Sequence, residues 1–531
     1  MQSGYGHLYR NQTLAQLAIE KAMRMPDAVA IHLEDGQHIR FGSILRESRR
    51  LAAALAALGL VKGDTISFQL PNWRESVAVD IAASLLGLVV NPIIPIYRHR
   101  ELAHILADSG ARAIFVPDVF RGFDYPQMVE GLRDRLPRLA ELIVVRSARE
   151  HREARDYARL LEAADPDALE PVQVDPDDLK IVMYTSGTTG RAKAVRHSHN
   201  TIARALDNGC EGWRLGAGDV MLMPSPVTHV TGFVNGIELP FFSEARSAFM
   251  ERWDVDLAID YIQRVRATAC VSATPFLQEL VQECERRGEG LPSLRMFACG
   301  GASVPPTLIH ETHRVLTNCR AFRVYGSTEA PLVTVGFPEP ERATLAATTD
   351  GRVHNYEVRV LDESGEAMPV GRDGEIVVRG ASLMLGYADA DQSREAFTAD
   401  GFFRTGDIGH LGPEGAIVIT DRKKDIIIRG GENLSAREIE DVLYTVPGVQ
   451  EVAVVAMPHE RLGEGVCACI VPAPGAHAPT LAALRPFLEA SGLARQKWPE
   501  RLELREELPK TASGKIRKDL LRQELRPVAS Q

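Results

Sequence analysis

Three consecutive stretches near the start of the chain each pass from a helical spacing of apolar residues into a short β-prone run. They are "FGSILRESRRLAAALAAL" before "TISFQL", then "ESVAVDIAASLLGLVVNPI", then "ELAHILADSGARAIFVP". Helices alternating with single strands supply the crossovers that parallel strands need, and they cover the faces of the sheet they build. The pattern therefore predicts an α/β chain with helix-covered parallel sheets. Within the first stretch Ser43 reads as the helix cap and Gly59 as the stop.

The 531 residues exceed one core, and roughly 150 residues per domain suggest about three or four structural units. Residues 146–178 are charged and dotted with proline, and read as an exposed helix plus a connection. A second helix-and-strand series runs from Asn200 to about Tyr325. From Gly351 to Asp421 the texture changes to short alternating segments, "YEVRVLD" and "GEIVVRG", which read as hairpins in a small β-barrel or twisted sheet. After "DRKKD" at 421–425 comes a small mixed α+β unit, so the best cut falls near 422.

Composition narrows the function. Hydrophobic residues make up 45% and charged residues 25%, ordinary for a globular enzyme. Sixty-one basic against 71 acidic residues leave a net charge of −10, and the basic clusters are short, so nucleic acid is not an expected partner. The opening "MQSGYGHLYRNQT" is polar, unlike a signal peptide. The longest apolar runs, "LAAALAALGL" and "IAASLLGLVV", fall short of the ~20 residues of a membrane span. A cytoplasmic protein without a membrane span is expected. Seven scattered cysteines do not read as a disulfide framework, and Cys467 and Cys469 read as buried thiols on one face of a strand.

Chemistry concentrates in a few loops. "YTSGTTGRAKAV", Tyr184 to Val195, sets four Ser/Thr hydroxyls and a lysine among glycines, after the apolar Ile181-Val182-Met183. Small residues let backbone N–H groups crowd round an anion, and Lys193 adds charge, so a phosphate fits. The P-loop motif fails here, because Lys193 stands three residues past Gly190 and is followed by Ala194. A polar hairpin loop is the plain alternative. In "VYGSTEAP", Tyr325, Gly326, Thr328 and Glu329 offer an aromatic face, a hydroxyl and a carboxylate, suited to a purine and Mg²⁺ or to an ordinary strand-end turn. "FRTGDIGHL" offers Asp407 in a Gly-flanked turn, able to accept two ribose hydroxyls or simply to stabilise the turn. "PKTASGKIRK" sets Lys515 after Gly514 in a basic loop, otherwise a solvated tail.

Taken in order, T-S-G-T-T-G-x-x-K, Y-G-x-T-E, R-T-G-D, D-R-x-K-D and P-x-T-x-x-G-K resemble the adenylate-forming superfamily of acyl-CoA synthetases, peptide-synthetase adenylation domains and luciferases. The likeness covers essentially the whole chain. Ala192-Lys193-Ala194 stands where the family usually has Pro-Lys-Gly; the lysine is kept. The resemblance implies a large N-terminal domain, residues 1–421 with a β-rich part at about 340–421, a hinge at 422–424, and a mobile C-terminal domain, 425–531.

It also implies roles by position. Thr185, Ser186, Gly187, Thr188, Thr189 and Lys193 resemble the loop on the β- and γ-phosphates of ATP. Gly300, Gly301 and Ala302 resemble the strand end lining the adenine and acyl sites, and Tyr325 the residue stacked on adenine, in a turn with Gly326 and Thr328. Glu329 resembles the Mg²⁺ ligand, assisted by Thr185; Asp407 and Arg422 resemble the ribose contacts. Lys515 resembles the lysine bridging the carboxylate and the α-phosphate, and Lys424 the hinge. Gly430, Gly431 and Glu432 would line the thiol tunnel. Both Lys515 and Glu329 are present, against a non-catalytic nucleotide binder.

"PSPVTHVTGF" corresponds to the acyl gate, with His229, Val230, Gly232 and Phe233 as substrate contacts. No acidic residue lies between Pro224 and Asn235, where amino-acid-activating relatives place an aspartate, so an apolar carboxylic acid is the expected substrate. "NPIIPIYRHRELAHIL" and "FVPDVFRGFDY" are similar to short- and medium-chain or cyclohexanecarboxylate-type acyl-CoA ligases. No fused carrier domain is visible, which makes coenzyme A the expected thiol and a separate carrier protein the alternative. A homodimer is left open.

Overall fold

The computed structural model describes residues 5–185, 192–301, 304–430, 432–511 and 515–525. Two large sheets dominate it. One has eight strands, in the order Gly386–Tyr387, Lys193–Ser198, Leu179–Thr185, Val89–Pro92, Thr65–Phe68, Ala113–Pro117, Glu141–Val145 and Arg155–Asp156. From Leu179–Thr185 onward its pairings are parallel, as the alternating pattern predicts; Lys193–Ser198 runs antiparallel between its neighbours. The other has seven strands and is parallel from Arg320–Val324 to Val29–His32, ending in the antiparallel strand His38–Arg40.

The helix Arg74–Leu86 is buried without interruption from Ser76 to Leu86, and shares one apolar cluster with Ile66 and Phe68 of the first sheet and Met221 and Phe249 of the second. It forms part of a layer between the sheets. The outer faces are covered separately, one by helices such as Val255–Val265 and Thr274–Arg287, the other by His99–Ser109 and Tyr125–Glu130.

One helix cap differs from the expectation. The helix runs Phe41–Ala57 and its cap is Arg40, because the strand His38–Arg40 leads straight into it. Ser43 therefore falls inside the first turn, where its hydroxyl donates to the Arg40 carbonyl at 3.0 Å.

The alternating segments after Gly351 take the sheet form, four antiparallel strands in the order Tyr356–Leu361, Gly374–Gly380, Phe403–Leu411 and Ile417–Arg422. A turn follows, in which the Asp425 N–H donates to the Arg422 carbonyl at 2.8 Å. Beyond it lies a five-stranded sheet with helices Ala436–Leu443, Leu481–Ala490 and Lys518–Glu524 and its own apolar core. Cys467 and Cys469 lie buried in one cluster there, on strand Gly463–Pro472. Among the described residues no helix is long and apolar enough to cross a membrane.

Candidate active site

The candidate nucleotide side of the site joins a strand end to a cross-strand pair. Tyr325 and Gly326 follow strand Arg320–Val324. A Cβ on Gly326 would lie 2.6 Å from the Leu332 amide nitrogen, so no larger residue fits the turn. The Tyr325 phenol donates to Asp407 Oδ2 at 2.6 Å, and Arg422 Nε lies 2.8 Å from Asp407 Oδ1. Asp407 is not in a turn, as the flanking glycines suggest, but inside strand Phe403–Leu411, directly opposite Arg422. The register breaks just after it, between Ile408 and Gly409. Cross-strand pairing thus joins Asp407 to Arg422, and burial beside Asp407 holds the Tyr325 phenol protonated, well above its usual range.

On the phosphate side, Thr185 ends one strand and Lys193 opens the next, and the two are cross-strand partners. Thr185 Oγ1 donates to Glu329 Oε1 at 3.4 Å, and the Tyr387 hydroxyl donates to the same oxygen at 3.0 Å. The Lys193 ammonium sits 4.8 Å from the centre of the Tyr387 ring. Tyr387 therefore joins the phosphate-loop lysine to the candidate metal ligand, a role that sequence reading missed. "LGY" ahead of an Asp-capped helix looks like any strand end, and only the pairing of Tyr387 with Val195 brings it into the site.

His197 belongs to the framework. Its Nε2 lies 2.8 Å from the Thr328 carbonyl and its Nδ1 3.0 Å from Thr201 Oγ1, and burial pushes it down to about 4, so it is neutral near pH 7. His199 opens helix His199–Trp213, which Ser198 caps. Ser186, Gly187, Thr188, Thr189, Ala302 and Gly431 lie outside the described residues. Gly300 ends strand Met296–Gly300, and the exposed Gly301 follows it.

Lys515 enters from the C-terminal unit. Its N–H donates to Thr511 Oγ1 at 3.1 Å, and the Thr511 N–H donates back to its carbonyl at 2.7 Å. The ammonium is pushed down to about 7, first by the Arg422 charge and then by burial, with Asp407, Lys424 and Glu329 also acting on it. His229 is pushed down to about 4 by burial and then by Lys515. Lys515 thus stands within electrostatic reach of Arg422, Asp407 and Glu329 and of His229. Gly430 and Glu432 are exposed, and Lys424 is exposed on the turn after Arg422.

The acyl side is a cleft lined by Ile93, Met183, Tyr184, His229, Val230 and Thr328 among others, and no Asp or Glu is among its lining residues. His229 caps the short helix Val230–Gly232, its Nδ1 accepting from the Thr231 N–H at 3.4 Å. A Cβ on Gly232 would lie 2.1 Å from the Pro226 carbonyl oxygen, which fixes glycine in this segment. Phe233 is fully buried and begins a π-helical turn, Phe233–Glu238.

Comparison with known proteins gives the family. The signature of the AMP-binding enzyme family matches residues 19–388, and that of the AMP-binding enzyme C-terminal domain matches 438–515. The chain is 33% identical over 521 residues to a medium-chain fatty-acid–CoA ligase of Escherichia coli (strain K12), covering 98% of this chain and 91% of that protein. It is 30% identical over 519 residues to a 2,3-dihydroxybenzoate-AMP ligase of Bacillus subtilis (strain 168), covering 97% and 94%. Its fold is similar to that of ATP-bound MatB from Rhodopseudomonas palustris, with a TM-score of 0.85 at 26% identity, covering 97% of this chain and 99% of that one. The chain belongs to the AMP-binding enzyme family, within the adenylate-forming superfamily, and is an AMP-forming acid–thiol ligase.

Proposed function

We propose that the enzyme converts an apolar carboxylic acid, of short or medium chain or alicyclic, into its acyl-AMP and then into its CoA thioester. The observation that carries this reading is the cleft at His229, near Lys515, which joins aliphatic side chains such as Ile93, Ile105, Met183 and Val230 to uncharged Tyr and Thr residues and has no carboxylate among its lining residues. An ammonium-bearing acid would be buried there without a partner, at a cost of several kcal/mol, whereas each packed methylene contributes about 0.8 kcal/mol.

A carboxylate is anionic and carries no usable leaving group, so it must be activated first. In the adenylation step a carboxylate oxygen attacks the α-phosphorus of ATP, the bond to pyrophosphate breaks, and charge grows on the non-bridging oxygens. Lys515 would hold a proton between the carboxylate and the α-phosphate. Lys193 and Thr185, with Ser186, Thr188 and Thr189, would bind the leaving phosphates. Tyr325 and the strand end at Gly300 to Ala302 would hold the adenine, and Asp407 with Arg422 the ribose. Asp407 accepts one bond from Tyr325 and pairs with Arg422, and its oxygens have lone pairs to spare for hydroxyls.

The donors present fit a magnesium ion. Among the described residues there is no cluster of three His, Cys, Asp or Glu side chains, only the single carboxylate of Glu329 beside Thr185. That sparse all-oxygen set suits an ion that shares its ligands with substrate phosphates and keeps its waters. When bound, the ion would neutralise phosphate charge.

In the second step the thiol sulfur attacks the acyl carbonyl and AMP departs. For this the C-terminal unit would turn about Lys424, withdrawing Lys515 and presenting Gly430, Gly431 and Glu432 to the thiol. A second reading keeps the adenylation and changes the acceptor to a carrier protein; the similarity to an AMP ligase favours it. A pyrophosphate-release screen over linear, alicyclic, aromatic and amino acids, with and without CoA, tests both. Expected is turnover of hexanoate, octanoate or cyclohexanecarboxylate orders of magnitude above leucine, with benzoate intermediate and CoA consumed. Preference for an amino acid overturns the reading of the pocket, and turnover indifferent to CoA favours the carrier.

A further inference from the structure

Behind the acyl segment lies a charged group that the reaction does not use. The Lys180 ammonium is 3.0 Å from Asp80 Oδ1 and 2.9 Å from Glu238 Oε1, with side-chain exposures of 3%, 0% and 0%. The three residues come from the strand leading to the phosphate loop, the helix buried between the two large sheets, and the end of the π-helical turn.

Strict alternation along strand Leu179–Thr185 would send Lys180 with Val182 and Tyr184 into the outer core. The pairing slips between Leu179 and Ile181, and Lys180 meets the inner helix instead. Among the described residues Asp80 Oδ2 and Glu238 Oε2 find no further hydrogen-bond partner. One ammonium faces two carboxylates, and burial raises both acids above their ordinary values.

A buried ionic group of this kind adds little net stability, because desolvation offsets the attraction. What it does impose is position. Glu238 is the last residue of the π-helical turn and Phe233 the first, and the Lys180 ammonium lies 5.5 Å from the centre of the Phe233 ring. π-Helical turns are rare and need support from their surroundings. The triad pins this one at both ends, Glu238 by its charge and Phe233 by its ring.

We propose that Lys180, Asp80 and Glu238 form a positioning device that fixes the turn carrying Phe233 and thereby sets which apolar acids the pocket admits. The inference rests on the reading of the cleft as the acyl pocket: Val230 lines it, and Phe233, buried behind that wall, begins the turn that continues directly from Val230–Gly232. Removing the charges would let Phe233, and with it the adjoining Val230 of the cleft wall, shift and favour bulkier acids, while leaving the nucleotide contacts alone.

The test compares the wild type with Glu238→Gln and with the charge-free triple variant Asp80→Asn, Lys180→Met, Glu238→Gln, which leaves no buried ion unpaired. Pyrophosphate release is measured with butyrate, octanoate and cyclohexanecarboxylate, alongside the KM for ATP. Expected is a shift of about tenfold or more in the kcat/KM ratio toward the bulkier acids in the triple variant. The shift should be smaller but in the same direction in Glu238→Gln, with the ATP KM within about twofold of the wild type. A ratio that stays put in either folded variant, or a fall shared equally by every acid and by ATP binding, overturns the proposal. A wild type that accepts none of the three acids sinks the apolar-pocket reading and the triad's role with it, whereas an accepting wild type and an unmoved variant sink only the latter.

Discussion

Arg437, on the C-terminal unit, places a guanidinium nitrogen 3.2 Å from Asp350 Oδ1, the same oxygen that accepts from Arg323 Nη2 at 2.7 Å. The second oxygen, Oδ2, accepts from the Ile419 N–H at 2.8 Å. Asp350 is thus fixed from its own side, and Arg437 is the partner that arrives with the C-terminal unit. A rotation about the turn at 423–425 must break this contact.

Arg437→Ala should therefore weaken the adenylating arrangement without touching substrate. A half-buried ion pair of this kind is worth about 1 kcal/mol, or roughly a fivefold effect. Adenylation in single turnover is expected to slow by that factor, while thioester formation from pre-made acyl-AMP holds or quickens. Equal slowing of both steps would show that the contact serves folding only.

Lys515 makes the pH dependence specific. The groups facing it are Arg422, Lys424, Asp407 and Glu329, and His229, at about 4, is already neutral. In the proposed mechanism adenylation needs the ammonium, so kcat/KM for pyrophosphate release should fall as pH rises through about 7. In kcat the fall moves to higher pH, because bound anions favour the charged lysine. Lys515→Arg keeps its charge throughout and should lose that descending limb, even if its rate is lower. A limb that survives the substitution belongs to another group.

Tyr387→Phe deletes the 3.0 Å donation to Glu329 and keeps the ring beneath Lys193. Outer contacts to a metal ligand commonly carry about 10- to 100-fold in metal affinity or activity. The Mg²⁺ concentration for half-maximal adenylation should rise by about tenfold, with the KM of the acid unchanged. An unaltered Mg²⁺ titration would place Glu329 away from the metal.

Lys424→Pro fixes φ at the proposed hinge and removes one N–H. Adenylation should stay within a few-fold of the wild type, and thioester formation should slow by about an order of magnitude or more. Loss of adenylation to the same extent would put the hinge elsewhere.

Much of this architecture is written locally. The helix–strand alternation before Pro117 marks parallel strands because crossovers demand it. What is not legible comes from strand pairing. Asp407 looks like a turn residue until its strand is laid against Arg422, and Tyr387 looks like a strand end until Val195 lies opposite it. Asp80 meets its partner only because its helix is covered on all sides and Lys180 arrives from a slipped strand 100 residues away.

Oxygen-18 in both carboxylate oxygens of the best acid from the screen provides the decisive assay. The enzyme is given labelled acid, ATP and magnesium, first without and then with CoA, and the products are weighed by mass spectrometry. Attack by the carboxylate on the α-phosphorus predicts acyl-AMP held on the enzyme before CoA is added. Afterwards it predicts a CoA thioester, AMP carrying one labelled oxygen, and pyrophosphate carrying none. Label in phosphate or pyrophosphate, or a thioester formed with unlabelled AMP, would contradict activation through an acyl-AMP.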